Sequence, residues 1–347
     1  MTHPDLRQFA ELLLSVPHAG PLPQVIAIIG GAGYNFTTRI WPLFQSFNGR
    51  FRLDLYDVAE PLRPLATERF VAVRNDLELR HRLIEAGPRV VIIETPGAMH
   101  PRHIQAALES GAELVLCEKP IAITAAEACD VWRTIPPGPR QDLRILDHYA
   151  LLELVLALRA SRHKLGRLRR LEFRLFEKQG IPRSQERSHF DGMSNVMHHF
   201  LALVAVLLGL DDLVPVQAAW ARHPSECVPD TYRSAAYLSG GVEVIGAVGK
   251  RMPEAVKELR LIGEQGEATL DRITNQLRIR AGHWRETITC AEDTGYRSLV
   301  TALAAGERLP STLLSPATAA RIVELIDAAH AISQELPAYP ASSSIVF

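Results

Sequence analysis

Gln24-Val25-Ile26-Ala27-Ile28-Ile29-Gly30-Gly31-Ala32-Gly33 is a short apolar, β-branched run that breaks into a glycine turn. The residues after it, through Arg39, Trp41 and Phe44, read as a helix. A strand that enters a helix through glycines is the opening unit of a doubly wound parallel sheet. Glycines at such a joint let the backbone approach a pyrophosphate, whose charge the free N–H groups of a helix N-terminus favour. Gly30, Gly31 and Gly33 are therefore candidate cofactor contacts. The register of the G-x-G-x-x-G pattern stays open. Counting from Gly31 and Gly33 puts Phe36 third, and counting from Gly30 puts Ala32 second.

Working outward, Phe51 to Tyr56 alternates like a second strand and ends on Asp57, at the distance where an acidic residue meets the adenosine ribose. Its carboxylate would accept from both ribose hydroxyls and repel a 2′-phosphate, which favours NAD; Arg63, close in sequence, leaves NADP open. Val90 to Glu94 is a third apolar strand, followed by Thr95-Pro96-Gly97-Ala98-Met99-His100 and a helix from about Pro101 to Ser110 that stops at Gly111. Glu113 to Cys117 is the next strand and runs out into Glu118-Lys119-Pro120. Helices between strands imply right-handed crossovers and a parallel sheet. Thr95, Pro96, His100, Glu118 and Lys119 then belong to the carboxyl edge, where open α/β sheets bind ligands. Lys119 there can contact a nicotinamide ring and a substrate oxygen at once; the competing reading is a surface lysine before a turn proline.

A glycine turn after the first strand, an acid after the second, T-P-x-x-x-H and then C-E-K-P, in that order, resemble the glucose-fructose oxidoreductase, inositol 2-dehydrogenase and rhizopine-catabolism (Gfo/Idh/MocA) family of nicotinamide-dependent enzymes. The similarity continues through Glu258 to Asp271, like the family's paired strands about a glycine turn. It extends to Gly295 to Ala329, like its closing helices. The resemblance implies an N-terminal Rossmann domain, residues 1–147. It also implies a substrate-binding and oligomerisation α/β domain, residues 148–347, with an open, mostly antiparallel sheet. It further implies an NAD(P)-dependent oxidoreductase acting on a sugar, cyclitol or related polyol, and Asp57 makes NAD the favoured cofactor.

Composition agrees with this. The 347 residues, 47% hydrophobic and 22% charged, suit two domains with sizeable cores, and a net charge of −1 offers no general attraction to nucleic acid or acidic membranes. Four scattered cysteines, Cys117, Cys129, Cys227 and Cys290, contain no C-x-x-C pair, which argues against a zinc site or a disulfide framework and fits a reducing cytoplasm. The first residues lack a signal-peptide pattern and read as a short amphipathic helix, linked by Pro17 to Pro23 to the first strand. Phe200 to Leu210 is too short an apolar run to span a bilayer.

Past the turn at Pro136-Pro137-Gly138-Pro139, Leu143 to Leu146 is a last short strand of the first half. Helices follow at about Leu151 to Arg162 and Gly192 to Leu208. Strands are expected at Leu168 to Glu177, Pro215 to Arg222, Tyr232 to Leu238, Val242 to Val248, Glu258 to Ile262, Ala268 to Asp271, Gln276 to Arg280 and Thr287 to Cys290. Strands in succession imply a mixed or antiparallel sheet with helices on one face. Apolar residues on both faces of Val242 to Val248 predict a covering subunit, hence a homodimer or homotetramer.

On the helix beginning near Gly192, Asn195 and His199 lie four residues apart on one face. In the resembling family this segment carries an aspartate and, four residues later, a histidine used in proton transfer; His199 matches, and Asn195 takes the aspartate's place. Asparagine cannot take up a proton, so the acid–base role falls to His199 or Lys119. The departure implies either an altered substrate or a site that binds cofactor without turnover. His198 is a packing residue or a substrate contact. Asp147-His148-Tyr149 resembles the D-H-Y of glucose 6-phosphate dehydrogenase, although Leu152 stands where that enzyme has a lysine; Tyr149 lines the site or packs, and His148 is a candidate substrate contact. Arg183 and Arg187 either clamp an anionic group of the substrate or are solvated loop arginines. The alternatives to a polyol dehydrogenase are an imine or enone reductase and a non-catalytic dinucleotide-binding sensor.

Overall fold

The computed structural model describes residues 24–33, 35–47, 50–58, 69–134, 142–179, 193–226, 230–291 and 294–347. The leading helix, Arg63, the Pro136 to Pro139 turn, Arg183, Arg187, Gly192 and Cys227 lie outside the described residues. The chain forms two compact units. One takes residues up to Ile121, Asp130–Leu151 and Asp293–Pro316, and the other takes Ala122–Cys129, Leu152–Glu292 and Ala317–Phe347.

The first unit is built on six parallel strands: β1 (Gln24–Ile29), β2 (Phe51–Asp57), β3 (Arg69–Ala72), β4 (Val90–Ile93), β5 (Leu114–Glu118) and β6 (Asp142–Leu146). Their spatial order is β3-β2-β1-β4-β5-β6, so the direction of winding reverses between β1 and β4 and opens a crevice at their carboxyl ends. Strand alternation sends Ile26, Ile28, Leu53, Leu55, Val90, Ile92, Leu114 and Leu116 to one face. That face packs against Phe36 and Ile40 in a π-wound turn (Phe36–Ile40) and Phe44 in the short α1 (Trp41–Gln45). The opposite face meets α3 (His100–Glu109), which packs on β4 and β5 beside α2 (Asp76–Ala86). Neither β3 nor α2 was expected from the sequence. After β5 comes α4 (Ala125–Thr134).

The core under α1 is completed from far along the chain. Tyr296, Leu299, Val300 and Leu303 of α7 (Thr294–Ala305) recur at i, i+3, i+4 and i+7 and bury one stripe in the same cluster. A division at 147/148 therefore does not describe the packing. Asp293–Pro316 returns to the first unit because its apolar stripe belongs to the first sheet.

The second unit holds α5 (Glu153–Ser161), α6 (Ser194–Leu207), α8 (Pro316–Ala331) and a nine-stranded sheet. The strands are β7 (Leu168–Phe176), β8 (Val214–Ala221), β9 (Tyr232–Ser239), β10 (Val242–Gly249), β11 (Val256–Gly263), β12 (Gly266–Asp271), β13 (Gln276–Ala281), β14 (Trp284–Thr289) and β15 (Gln334–Glu335), in the order β14-β13-β12-β11-β7-β10-β9-β8-β15. Among the described strands of this sheet, only β10 with β7 and β15 with β8 pair in parallel. The expected strands are present, with ends shifted by a few residues; β14 begins at Trp284, earlier than expected, and β15 is an addition.

The apolar residues on both faces of β10 are covered within the chain, which corrects the reason given for a covering subunit. Gly246 lies so close under Phe200 of α6 that a Cβ there would sit 2.4 Å from the ring. On the other face Ala247, Phe176, Tyr232 and Met252 pack against Leu336, Tyr339, Ile345 and Val346 of the C-terminal segment. Farther along, the sheet carries Arg170–Glu243, Arg260–Glu172 and Arg174–Glu258 ion pairs between strands. Opposite charges on neighbouring strands support the pairing, each by a few tenths of a kcal/mol up to about 1.

Candidate cofactor and active site

The geometry decides the glycine register. Gly30 follows β1 directly, has φ +85°, and a Cβ on it would stand 2.9 Å from the carbonyl carbon and oxygen of Glu94 at the end of β4. Only a residue without a side chain fits between β1 and β4 there, so Gly30 is the first position of the pattern, Ala32 the second and Asn35 the third. The N–H of Ala32 donates to Asp57 Oδ2 at 2.9 Å, and the N–H of Val58 donates to Oδ1 at 2.7 Å. The carboxylate at the end of β2 is thereby fastened to the glycine turn. Gly33 N–H closes the turn on Gly30 O at 3.0 Å. Gly31 instead faces Leu55, whose Cβ a side chain at Gly31 would meet at 3.0 Å, so its role is packing on β2.

These residues border a cavity of ≈ 470 Å³. Its lining includes Gly30, Ala32, Gly33, Asp57, Glu94, Thr95 and Pro96, with Asn75, Asp76 and His103 at the α2 and α3 side. Among the described lining residues there are three carboxylates and no lysine or arginine. The volume falls in the range of cofactor sites. Asn75 caps α2 by accepting from Glu78 N–H at 3.0 Å, and Asp76 pairs with Arg102 at 2.8 Å. A dinucleotide fits this site: a glycine turn at a helix start that lets a pyrophosphate come close, and the Asp57 carboxylate for ribose hydroxyls.

His100 does not line the cavity. Its ring is buried, with Nδ1 2.6 Å from Pro120 O and Nε2 2.7 Å from Thr95 O, so it ties the turn after β4 to the turn after β5. Burial pushes its pKa down to about 4, against both carbonyls. The neutral ring donates to one of the two. His103 Nδ1 lies 2.9 Å from Thr95 Oγ1 and steadies the same turn.

At the ends of β4 and β5 the sequence reading missed a buried network. Asn35 Nδ2 donates to Glu94 Oε2 at 2.8 Å and lies 3.4 Å from Tyr296 Oη, and the Tyr296 hydroxyl donates to Glu118 Oε1. Glu94 is partly open to the cavity, yet its Oε1 is inaccessible and has no hydrogen-bond partner among the described residues. Burial, then the charge of Glu118, raises the Glu94 carboxyl well above the usual range. Burial pushes Glu118 up to about 7, against the Tyr296 hydrogen bond and the charge of Lys119. Lys119 is half-buried; its N–H donates to Leu146 O at 3.2 Å, and its peptide bond to Pro120 is cis. Burial lowers the Lys119 pKa, with Asp147 and Glu118 opposing. The only sequence signal for this network was an acid ending each of two otherwise apolar strands.

After β6, Asp147 Oδ1 accepts from Tyr149 N–H at 3.0 Å, and the His148 ring stacks on Tyr296 with centroids 6.2 Å apart. Tyr149 is buried. In the second unit, His198 and His199 are buried on α6, and the backbone of Asn195 lies in the first turn of the same helix. Asp230 Oδ1 accepts from Met193 N–H at 2.7 Å at the start of α6, and the Arg233 side chain holds Asp230 at 2.7 Å.

The strand order, the glycine turn and the fastened acid define a dinucleotide-binding α/β protein. Residues 25–136 match the Gfo/Idh/MocA family model, described as an oxidoreductase family with the NAD-binding Rossmann fold. No curated protein matches the sequence. Among solved structures, the fold is similar to that of KijD10, a 3-ketoreductase from Actinomadura kijaniata in complex with NADP and TDP-benzene. The TM-score is 0.73 at 15% identity, covering 90% of this chain and 99% of that one. It is also similar to a levoglucosan dehydrogenase in complex with NADH and levoglucosan, at a TM-score of 0.72 and 14% identity, covering 89% and 96%. No helix among the described residues is long and apolar enough to cross a membrane.

Proposed function

We propose that the protein uses NAD, in preference to NADP, to oxidise a carbinol or reduce a carbonyl carbon of a sugar, cyclitol or related small molecule. The observation that carries this reading is the common carboxyl edge of the first sheet, where the glycine turn ends β1, Thr95-Pro96 follows β4 and Lys119 follows β5. When bound, the nicotinamide supplies the hydride donor or acceptor. Gly30, Ala32 and Gly33 would hold the pyrophosphate, and Asp57 the ribose hydroxyls. Lys119 would hydrogen-bond the reacting oxygen. Burial makes its proton easier to give up, which suits a group that exchanges a proton with the reacting oxygen. His199 in the second unit is the proposed proton carrier, with Asn195, His198, Tyr149 and His148 as substrate contacts. The names of the two solved relatives, a ketoreductase and a sugar dehydrogenase, support the substrate class. We further propose a cytoplasmic homodimer or homotetramer. Light scattering measures the assembly. The functional test is a panel of polyols with NAD⁺ and of ketosugars with NADH, followed by nicotinamide absorbance. Reduction or oxidation of the cofactor by a member of the panel is expected, and binding without turnover across the panel would favour the sensor reading instead.

A further inference from the structure

The dinucleotide reading leaves Glu94 and Glu118 without a task, although they are the least ordinary groups of the first unit. A carboxyl is rarely taken out of water unless it is paired, and here two are placed in one network through Asn35 and Tyr296. Their place in the strand order gives a reason. Asp57 lies on β2, to one side of the glycine turn, and Glu94 and Glu118 end β4 and β5 on the other side. With the adenosine ribose at Asp57 and the pyrophosphate at the turn, the nicotinamide half extends toward β4 and β5. That half is the part of the cofactor whose charge changes in the reaction: the oxidised ring is positive and the reduced ring is neutral.

We propose that Glu94 and Glu118 form a carboxyl pair that reads the oxidation state of the bound cofactor, keeping its proton beside the reduced ring and releasing it to solvent when the oxidised ring binds. The inference rests on the cofactor site proposed above. Both carboxyls are raised by burial, and the charge of Glu118 raises Glu94 further, so at neutral pH the pair holds a proton that a nearby positive charge can displace. The other groups around the pair are accounted for. Tyr296 from α7 donates to Glu118 and stays protonated, its own pKa driven well up by burial. Lys119 lowers the Glu118 pKa, and Asp147, after β6, raises it. Cys117 is raised by burial and by both carboxylates, which keeps it a thiol. His100 of α3 is neutral, and Asn35 brings no charge.

The test is calorimetric binding of NAD⁺ and of NADH to the full chain, each in two buffers of different ionisation heat, between about pH 6 and 8. The expected result is release of on the order of one proton with NAD⁺ and none with NADH. The ratio of the two dissociation constants should then shift about tenfold in favour of NAD⁺ as pH rises across that range. Glu94→Gln and Glu118→Gln should each reduce the difference in proton release and flatten the ratio. If either variant fails to fold, the parent measurement alone decides. Equal proton release for the two cofactor forms overturns the pair assignment and leaves the cofactor site standing; no binding of either form at any pH overturns both.

Discussion

Asp57→Ala separates the two tasks given to that carboxylate. One is to hold the glycine turn, through the Ala32 N–H at 2.9 Å and the Val58 N–H at 2.7 Å. Val58 is exposed, so its N–H can turn to water, and the loss is set by the half-buried Ala32 N–H at about 1–2 kcal/mol. The other task is to accept ribose hydroxyls, worth about another 1.5–3 kcal/mol for bonds to a charged acceptor. NADH affinity should therefore fall by about 10²- to 10⁴-fold. NADPH loses the first term but escapes repulsion between the carboxylate and a 2′-phosphate, worth about 1 kcal/mol or more at ~5 Å even in water-like dielectric. The preference for NADH should collapse or reverse. Asp57→Asn, which keeps an acceptor for the Ala32 N–H and loses the charge, should shift the preference with less loss of affinity. Fluorescence titration with NADH and NADPH measures all three proteins. A parent that binds both equally, or an Asp57→Ala variant with the parent's preference, would refute the assignment.

Gly30→Ala should destabilise the first unit by roughly 3 kcal/mol or more, from about 1–2 kcal/mol of left-handed strain plus the contact with the Glu94 backbone. Gly87→Ala, at φ +54° with nothing within 4 Å of the added carbon, should cost only the strain; urea unfolding of the pair measures the difference. His100, held at a pKa of about 4 in the fold, binds fewer protons than in the unfolded chain between about pH 4 and 6.5. Its contribution therefore falls as pH drops through that window, by up to about 3 kcal/mol. His100→Gln should flatten this acid limb in denaturant melts at several pH values, and an unchanged limb would assign it elsewhere. Leu303→Ala, in the stripe that α7 buries on the first sheet, should cost about 2–5 kcal/mol and lower the unfolding midpoint of the unit that binds cofactor.

The strands of both sheets were legible because their apolar runs are unbroken, as in Val90–Ile93, or bounded by turns. β3 was not, because Arg69–Ala72 is a four-residue edge strand with two exposed ends. Nor was α2, whose Asp76–Ala86 sequence buries only Leu79 and Leu83 and leaves Leu77 and Ile84 exposed among charged residues, which blurs the apolar stripe. The i, i+3, i+4, i+7 stripe of Tyr296 to Leu303 was readable as a helix face, but nothing local says which sheet it covers. The turn at Gly30 and the place of Lys119 just after β5 were legible, because both depend on neighbours in sequence. The site was hidden where it depends on contacts across the chain: Asn35 to Glu94 spans 59 residues and Tyr296 to Glu118 spans 178. The third position of the glycine pattern was hidden too. Asn35 stands there, and the helix after it opens with a π-wound turn, Phe36–Ile40, as its amide reaches Glu94.

The measurement that bears most directly on the account is turnover of the parent and of Lys119→Ala at matched cofactor occupancy, with a substrate drawn from the polyol and ketosugar panel. Lys119 is not among the residues lining the dinucleotide cavity, so the variant should bind NADH nearly as the parent does. Its turnover should fall by about 10²- to 10⁴-fold, because positioning and proton transfer at the reacting oxygen are lost together. A Lys119→Ala protein that binds cofactor and turns over at the parent's rate would contradict the claim that the end of β5 is where the chemistry occurs.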